Sequence, residues 1–291
     1  MQPSVSVKRL ALLGVGYIGG SAVLAARRAS VVREVVGFDP SLAAGRAGVR
    51  LGVLDRVAET AQAAVAGADL VVLAAPVRSL DGLLRSVSAG VTPTATVIDV
   101  GSVKADVVAT AETLLPGGSF VCCHPMAGAE FSGVEAANPD IFAGRVCFVC
   151  PGRSSTAAVT MAESFWRAIG CQAVTIDPDT HDRLMAAQSH LPHLAAFALA
   201  GALIPSLSFL DATTKAASPT TSLRDTTRIA ASGPAVWRDI LLANSKHVLP
   251  LIDDLQATVA ELRQAVASGD GKGLENILAR AQACRKRLVG E

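Results

Sequence analysis

Apolar residues follow two rhythms along this 291-residue chain. In the first part they come as short runs with no polar face: Leu10-Ala11-Leu12-Leu13, Glu34-Val35-Val36-Gly37-Phe38, Ala68-Asp69-Leu70-Val71-Val72-Leu73-Ala74-Ala75, Thr96-Val97-Ile98-Asp99-Val100, Phe120-Val121-Cys122-Cys123 and Arg145-Val146-Cys147-Phe148-Val149-Cys150. Their length and β-branched content predict strands. A helix is expected over 41–50, and Pro76 ends the third run. Strands that are apolar on both faces and separated by helices predict a parallel sheet covered on both sides. From residue 179 helical spacing takes over and no strand pattern appears. Asp177 or Asp179 can cap a helix that runs on through Met185 and His190. Further on, Ile252, Leu255, Val259, Leu262 and Val266 recur at three- and four-residue steps, and Ser268-Gly269-Asp270 breaks the pattern before a final amphipathic helix. The expected organisation is an α/β domain over 1–178 and an all-α domain over 179–291.

The turn after the first strand narrows this picture. Gly14-Val15-Gly16-Tyr17-Ile18-Gly19-Gly20 joins strand to helix, and Asp39 follows Gly19 by twenty residues at the end of the second strand. Gly14 permits the tight turn, Gly16 lets the backbone approach a pyrophosphate, and Gly19 lets the helix pack closely on the strand. The helix N-terminus then offers free N–H groups and the positive end of its dipole, with Tyr17 and Ile18 in its first turn. Asp39 can accept hydrogen bonds from an adenosine ribose and would repel a 2′-phosphate, which favours NAD over NADP; Arg46 is the nearby cation that argues the other way. The sheet is therefore expected to be a Rossmann-type doubly wound one. Ligands of such sheets lie beyond the carboxyl ends of the strands, where Gly14, Pro76, Ser102 and His124 all fall.

Composition excludes more than it selects. With 51% hydrophobic and 18% charged residues the chain can bury large cores, and a net charge of +1 gives no electrostatic basis for binding nucleic acid or an anionic membrane. Leu191 to Leu210 is long and apolar enough to suggest a membrane span, but Pro192, His193 and Pro205 interrupt it and no basic flank anchors it. So much apolar helix surface in a small domain predicts a homodimer with a shared core. No secretory signal opens the chain, so a cytoplasmic protein is expected. The six cysteines are expected to be buried thiols and not metal ligands: Cys147 and Cys150 are three apart on a strand, which sends them to opposite faces.

Four clusters carry candidate chemistry. His124 sits at a strand end in a Gly/Pro-rich turn, where an imidazole can face a nicotinamide and take a hydroxyl proton as hydride leaves; the alternative is a structural histidine. Ser102 can hydrogen-bond the same hydroxyl or the cofactor carboxamide, or else cap the next helix. His190 and His193 are three apart near Pro192. Arg224, Asp225 and Arg228 stand in an otherwise uncharged stretch, as a carboxylate site or as a surface ion pair.

In order along the chain, Gly14-Val15-Gly16-Tyr17-Ile18-Gly19-Gly20-Ser21, Asp99-Val100-Gly101-Ser102-Val103-Lys104, the stretch from His124-Pro125-Met126 to Glu130 and Gly133, Ser189-His190-Leu191-Pro192-His193 and Arg224-Asp225-Thr226-Thr227-Arg228 resemble the prephenate dehydrogenase family, which includes arogenate and cyclohexadienyl dehydrogenases. The resemblance covers residue 8 to about 245. It implies oxidation of a ring hydroxyl by hydride transfer to NAD or NADP, with loss of the ring carboxylate as carbon dioxide. By the same resemblance His124 accepts from the ring hydroxyl, with Ser102 assisting. Arg228 binds a substrate carboxylate supported by Asp225, and His193 contacts the substrate side chain. His190 and Glu130 line or gate the pocket, and Trp237 lies close to it unless it is simply a core aromatic. Gly14, Gly16, Tyr17, Ile18, Gly19, Asp39, Pro76 and Ser102 would hold NAD. His193 resembles the form that acts on prephenate; arogenate, dual-specificity or amino-prephenate dehydrogenases are the alternatives. The chain is not expected to carry the regulatory or mutase segments of some relatives. A β-hydroxyacid dehydrogenase would need a catalytic lysine, for which Lys215 and Lys246 are poorly placed, and a non-catalytic NAD-binding protein would not need His124, Ser102 or Arg228.

Overall fold

The computed structural model describes residues 5–115, 117–128, 131–206 and 220–290. Strands β1 (Val7–Leu13), β2 (Val32–Phe38), β3 (Arg56–Val57), β4 (Leu70–Leu73), β5 (Thr96–Asp99), β6 (Phe120–Pro125), β7 (Val146–Cys150) and β8 (Gln172–Thr175) form one sheet in the order β3-β2-β1-β4-β5-β6-β7-β8. All neighbours are parallel except β6 and β7, which pair antiparallel with Cys122 opposite Cys150 and His124 opposite Phe148. The expected all-parallel sheet is corrected at that edge. A parallel return needs a crossover of a dozen or more residues, usually a helix, and the segment between β6 and β7 holds only short 3₁₀ turns among its described residues.

Period-two alternation sends the strand side chains into two cores. Leu10, Leu12, Val35, Val72, Ile98, Val121 and Cys123 pack with α1 (Tyr17–Arg28) and α6 (Thr156–Ala168), where Phe165 and Trp166 are fully buried. Leu13, Val36, Val71, Leu73, Val97 and Cys122 pack on the opposite face with α3 (Ala61–Val65), α4 (Leu80–Val87) and α5 (Ala105–Leu114). Helix α2 (Leu42–Arg50) follows β2, as expected. Cys147 and Cys150 fall in different cores. Five cysteines are buried; Cys284 is exposed, against expectation. Burial pushes the Cys150 and Cys171 thiols up to about 12, so both stay protonated and act as small apolar groups.

Asp177 caps α7 (Pro178–Met185) through the N–H groups of Asp179 and Thr180. The helix does not run on evenly. A π-helical turn spans Ala186–His190 before α8 (Leu191–Ser206), with Leu191 N–H bonded to Ala186 O. Pro192 cannot donate and its ring crowds the preceding turn, so the wider turn is the way the helix admits it. Helices α9 (Thr221–Thr227) and α10 (Pro234–Ala243) follow. The chain divides into two compact units, Met1–Asn244 and Ser245–Glu291. The second is the pair α11 (Ser245–Ser268) and α12 (Gly271–Val289), joined at Gly269, which takes φ +67°, and capped by Asp270. Val259, Val266 and Leu278 are more than half exposed on it. No helix among the described residues is long and apolar enough to cross a membrane.

Candidate active site

The carboxyl ends of β1, β4, β5 and β6 share one edge of the sheet, and the strand order reverses between β1 and β4. At that switch point Gly14 takes φ +97°, and a Cβ on it would collide with the carbonyl of Ala74. A Cβ on Gly19 would sit 2.8 Å from Ala74 Cβ and 2.9 Å from Leu12 Cδ1. Both positions are closed by packing. Gly16 has nothing within 4 Å of where its Cβ would stand, and no side chain caps α1 there. The open space thus lies where the first-turn N–H groups of Tyr17, Ile18 and Gly19 lack intrahelical partners, a cradle for a diphosphate. Asp39 Oδ2 accepts from Val15 N at 2.8 Å and Oδ1 from Ser41 N at 2.8 Å, so the acid also braces the glycine turn. Pro76 is exposed just beyond Ala74, and the Tyr17 ring meets Phe131 edge-on at 6.2 Å between centroids. These residues fit a dinucleotide.

His124, near the end of β6, is held from α7. Its Nδ1 lies 2.9 Å from His181 Nε2, and His181 Nδ1 lies 2.8 Å from Asp182 Oδ1. Asp182 also accepts from the N–H groups of Lys104 and Ala105, each at 2.8 Å, capping α5 from a distance. Ser102 therefore does not cap that helix; it stands half-buried in the turn before it. Beneath His124 the Lys104 ammonium is fully buried, 2.5 Å from Asp99 Oδ2 and 2.8 Å from Cys123 O. Burial alone would lower the Lys104 pKa, but the Asp99 carboxylate outweighs it and keeps the amine charged. His124 is pushed well below the ordinary histidine range by burial and by His181, Lys104 and His190.

A second cluster surrounds Trp237. His193 stacks on its indole at 3.6 Å between centroids, and His190 meets it edge-on at 6.1 Å. His193 Nδ1 donates to Ser189 O at 2.9 Å, since a carbonyl can only accept. Its Nε2 is then bare while the ring is neutral. His190 has the opposite polarity. The Asn244 amide nitrogen donates to Asp182 O at 2.7 Å and to His190 Nδ1 at 3.0 Å, which leaves His190 with its proton on Nε2. Burial lowers the His190 pKa to about 4. Burial also lowers His193, opposed by its bond to Ser189 and aided by the Arg228 charge.

Arg228 begins the turn after α9 and its charge reaches His193, while Asp225 is exposed. Glu130 lies outside the described residues. Trp237 is buried and also packs in the small core with Val103 and Ile240, which bears out its reading as a core aromatic. Sequence reasoning missed His181, Asp182 and Asn244. The adjacent His-Asp pair just after a helix cap was the available signal, but nothing in it points to a strand 57 residues away.

Comparison with known proteins agrees with this geometry. Residues 22–175 match the nucleotide-binding domain of prephenate dehydrogenase, and residues 177–280 its dimerization domain. The chain is 32% identical to the cyclohexadienyl dehydrogenase of Zymomonas mobilis, over 97% of this chain and 96% of that one. It is 33% identical to the prephenate dehydrogenase of Bacillus subtilis, over 90% of this chain and 71% of that one. Its fold matches prephenate dehydrogenase from A. aeolicus, solved in complex with hydroxyphenyl propionate and NAD+, with a TM-score of 0.88 and 29% identity over 98% of this chain and 99% of that one. A nucleotide-binding doubly wound sheet, a helical dimerization domain and a half-buried histidine at a strand end thus occur together in a chain that belongs to the prephenate dehydrogenase family.

Proposed function

We propose that this protein is a homodimeric, NAD-dependent dehydrogenase that converts prephenate to 4-hydroxyphenylpyruvate. The observation that carries the reading is His124: a half-buried, neutral imidazole at the carboxyl end of β6, on the sheet edge that bears the glycine cradle. NAD, when bound, supplies the hydride acceptor. Gly14, Gly16 and Gly19 would shape its diphosphate site together with Tyr17, Ile18 and Pro76, and Asp39 would bind the ribose and disfavour a 2′-phosphate. His124 Nε2 takes the proton of the ring hydroxyl as hydride departs from the same carbon, and Ser102 orients that hydroxyl. The ring carboxylate then leaves as carbon dioxide, its bonding pair enters the ring, and the phenolate recovers the proton from His124. Arg228 holds a substrate carboxylate, with Asp225 one turn away, and His190 and Trp237 border the pocket. The family's dimerization domain and the exposed Val259, Val266 and Leu278 support the dimer.

A second reading has its own observation. His193, neutral and with Nδ1 donating to Ser189 O, offers a bare Nε2, which suits the ammonium of arogenate better than the ketone of prephenate. Reduced-nicotinamide formation should be followed with each substrate and with NAD and NADP. Turnover of prephenate with NAD supports the first reading; turnover of arogenate alone replaces it with the second, and activity with neither overturns both.

A further inference from the structure

His181 is wholly buried and the reaction above gives it no task, yet it lies between His124 and Asp182 with its two nitrogens at 2.9 and 2.8 Å. The direction of the protons along this row follows from its far end. Asp182 Oδ1 also accepts from Lys104 N, and Oδ2 accepts from Ala105 N, so both oxygens already face backbone donors at the start of α5. The carboxylate can only accept from His181, whose Nδ1 therefore carries the proton. A neutral His181 then has a bare Nε2, which must accept from His124 Nδ1–H. That leaves His124 Nε2 without a proton.

We infer that His181 and Asp182 are positioning residues that lock His124 in the tautomer whose Nε2 accepts the substrate's hydroxyl proton. The inference rests on the role given to His124 under the proposed function. The other charged and titratable groups facing His124 do not compete for its Nδ1. Lys104 Nζ is turned to Asp99 and Cys123 O, and His190 is tied through Nδ1 to Asn244. The Phe148 ring closes His181 edge-on at 5.6 Å between centroids. The row also does what a lone histidine cannot. Once His124 holds the substrate's proton, its Nδ1–H still points at a neutral acceptor backed by the Asp182 charge, so the cation is stabilised and no further proton has to move. The same carboxylate holds the N–H groups two and three residues after Ser102, and so keeps the turn bearing Ser102 in register with His124.

The test begins with the unmodified protein, labelled with ¹⁵N at its histidines, the His124 signals being assigned by their loss in His124→Asn. At pH 8 the expected spectrum has a protonated, pyrrole-type Nδ1 and a bare, pyridine-type Nε2; the reverse pattern, or an averaged pair, overturns the inference. In His181→Leu the fixed tautomer should be lost and kcat should fall by about 10- to 100-fold, less than the roughly 10²–10⁴-fold that the positioned base itself contributes, while the KM for NAD changes less than about 2-fold. His181→Gln, whose amide oxygen can accept the same N–H, should recover most of that loss. A folded His181→Leu protein with unchanged kcat overturns the positioning role. If that variant does not fold, the unmodified protein's spectrum and His181→Gln decide the matter. An unmodified protein inactive on prephenate and arogenate would defeat the proposed function while leaving the tautomer measurement to stand by itself.

Discussion

On the nucleotide side the site is made of backbone. Gly14, Gly16 and Gly19 come from one six-residue turn, and what matters is where a Cβ would go: into the Ala74 carbonyl, into open space, or into Ala74 and Leu12. On the other side the proposed site is made of side chains from six segments: Ser102, His124, His181 with Asp182, His190 with His193, Arg228 and Trp237. Each of the four histidines there has a proton position dictated by a neighbour. The difference shows how each half can fail. A cradle of N–H groups is lost by filling space, whereas a side-chain network is lost by removing one partner and leaving the others buried and unmatched.

The strongest way to break the comparison is to remove chemistry without touching the cradle. His124→Asn should lower kcat by about 10²–10⁴-fold while NAD affinity, read by fluorescence titration, stays within about 2-fold. A proportionate loss of NAD affinity would show that the halves are not separable. Lys104→Met leaves Asp99 buried without its cation and should destabilise the fold by about 3–5 kcal/mol in urea unfolding. A loss below about 1 kcal/mol would mean that water reaches Asp99.

Acid should discriminate next. His190, with its pKa lowered to about 4, stays neutral in the fold where the unfolded chain binds a proton below about 6.5. The unfolded state then holds more protons, so stability falls as pH drops from about 6.5 to about 4. The His190 contribution to that fall is on the order of 3 kcal/mol, and His124 and His193 are shifted in the same direction. Unfolding of His190→Gln at pH 7 and at pH 4.5 should show a shallower fall than the unmodified protein; an equal fall removes His190 from the account. The smallest effect sharpens the backbone half. Gly16→Ala meets nothing within 4 Å and should change stability by less than about 0.5 kcal/mol, yet raise the KM for NAD about 10-fold by filling the cradle. Gly14→Ala, at φ +97°, is the control that should instead unfold the turn.

Much of the fold could be read along the chain. The apolar runs gave strands within a few residues of β1, β2, β4, β5, β6 and β7, Asp177 is the cap where Asp177 or Asp179 was expected, and the break at Ser268-Gly269-Asp270 separates the last two helices. The two-residue β3 and the mostly exposed β8 were not seen, because neither carries an apolar run. The direction of β7 was misread, since a run apolar on both faces looks the same either way up; the Gly/Pro-rich link before it, too poor in helical spacing for a crossover, was the usable clue.

The nucleotide half is written locally in the chain, because a strand, a glycine turn and a helix N-terminus are local and their residue types follow from the dihedrals and clearances of one short segment. The other half exists only in the folded molecule. That His181 reaches His124, that Asp182 caps a helix 77 residues before it, and that Asn244 sets the His190 proton depend on contacts across 54 to 78 residues. Hydrogen bonds of that kind leave no periodicity in a chain, since they exist only once two burial-driven cores have closed and brought the polar groups left between them into register.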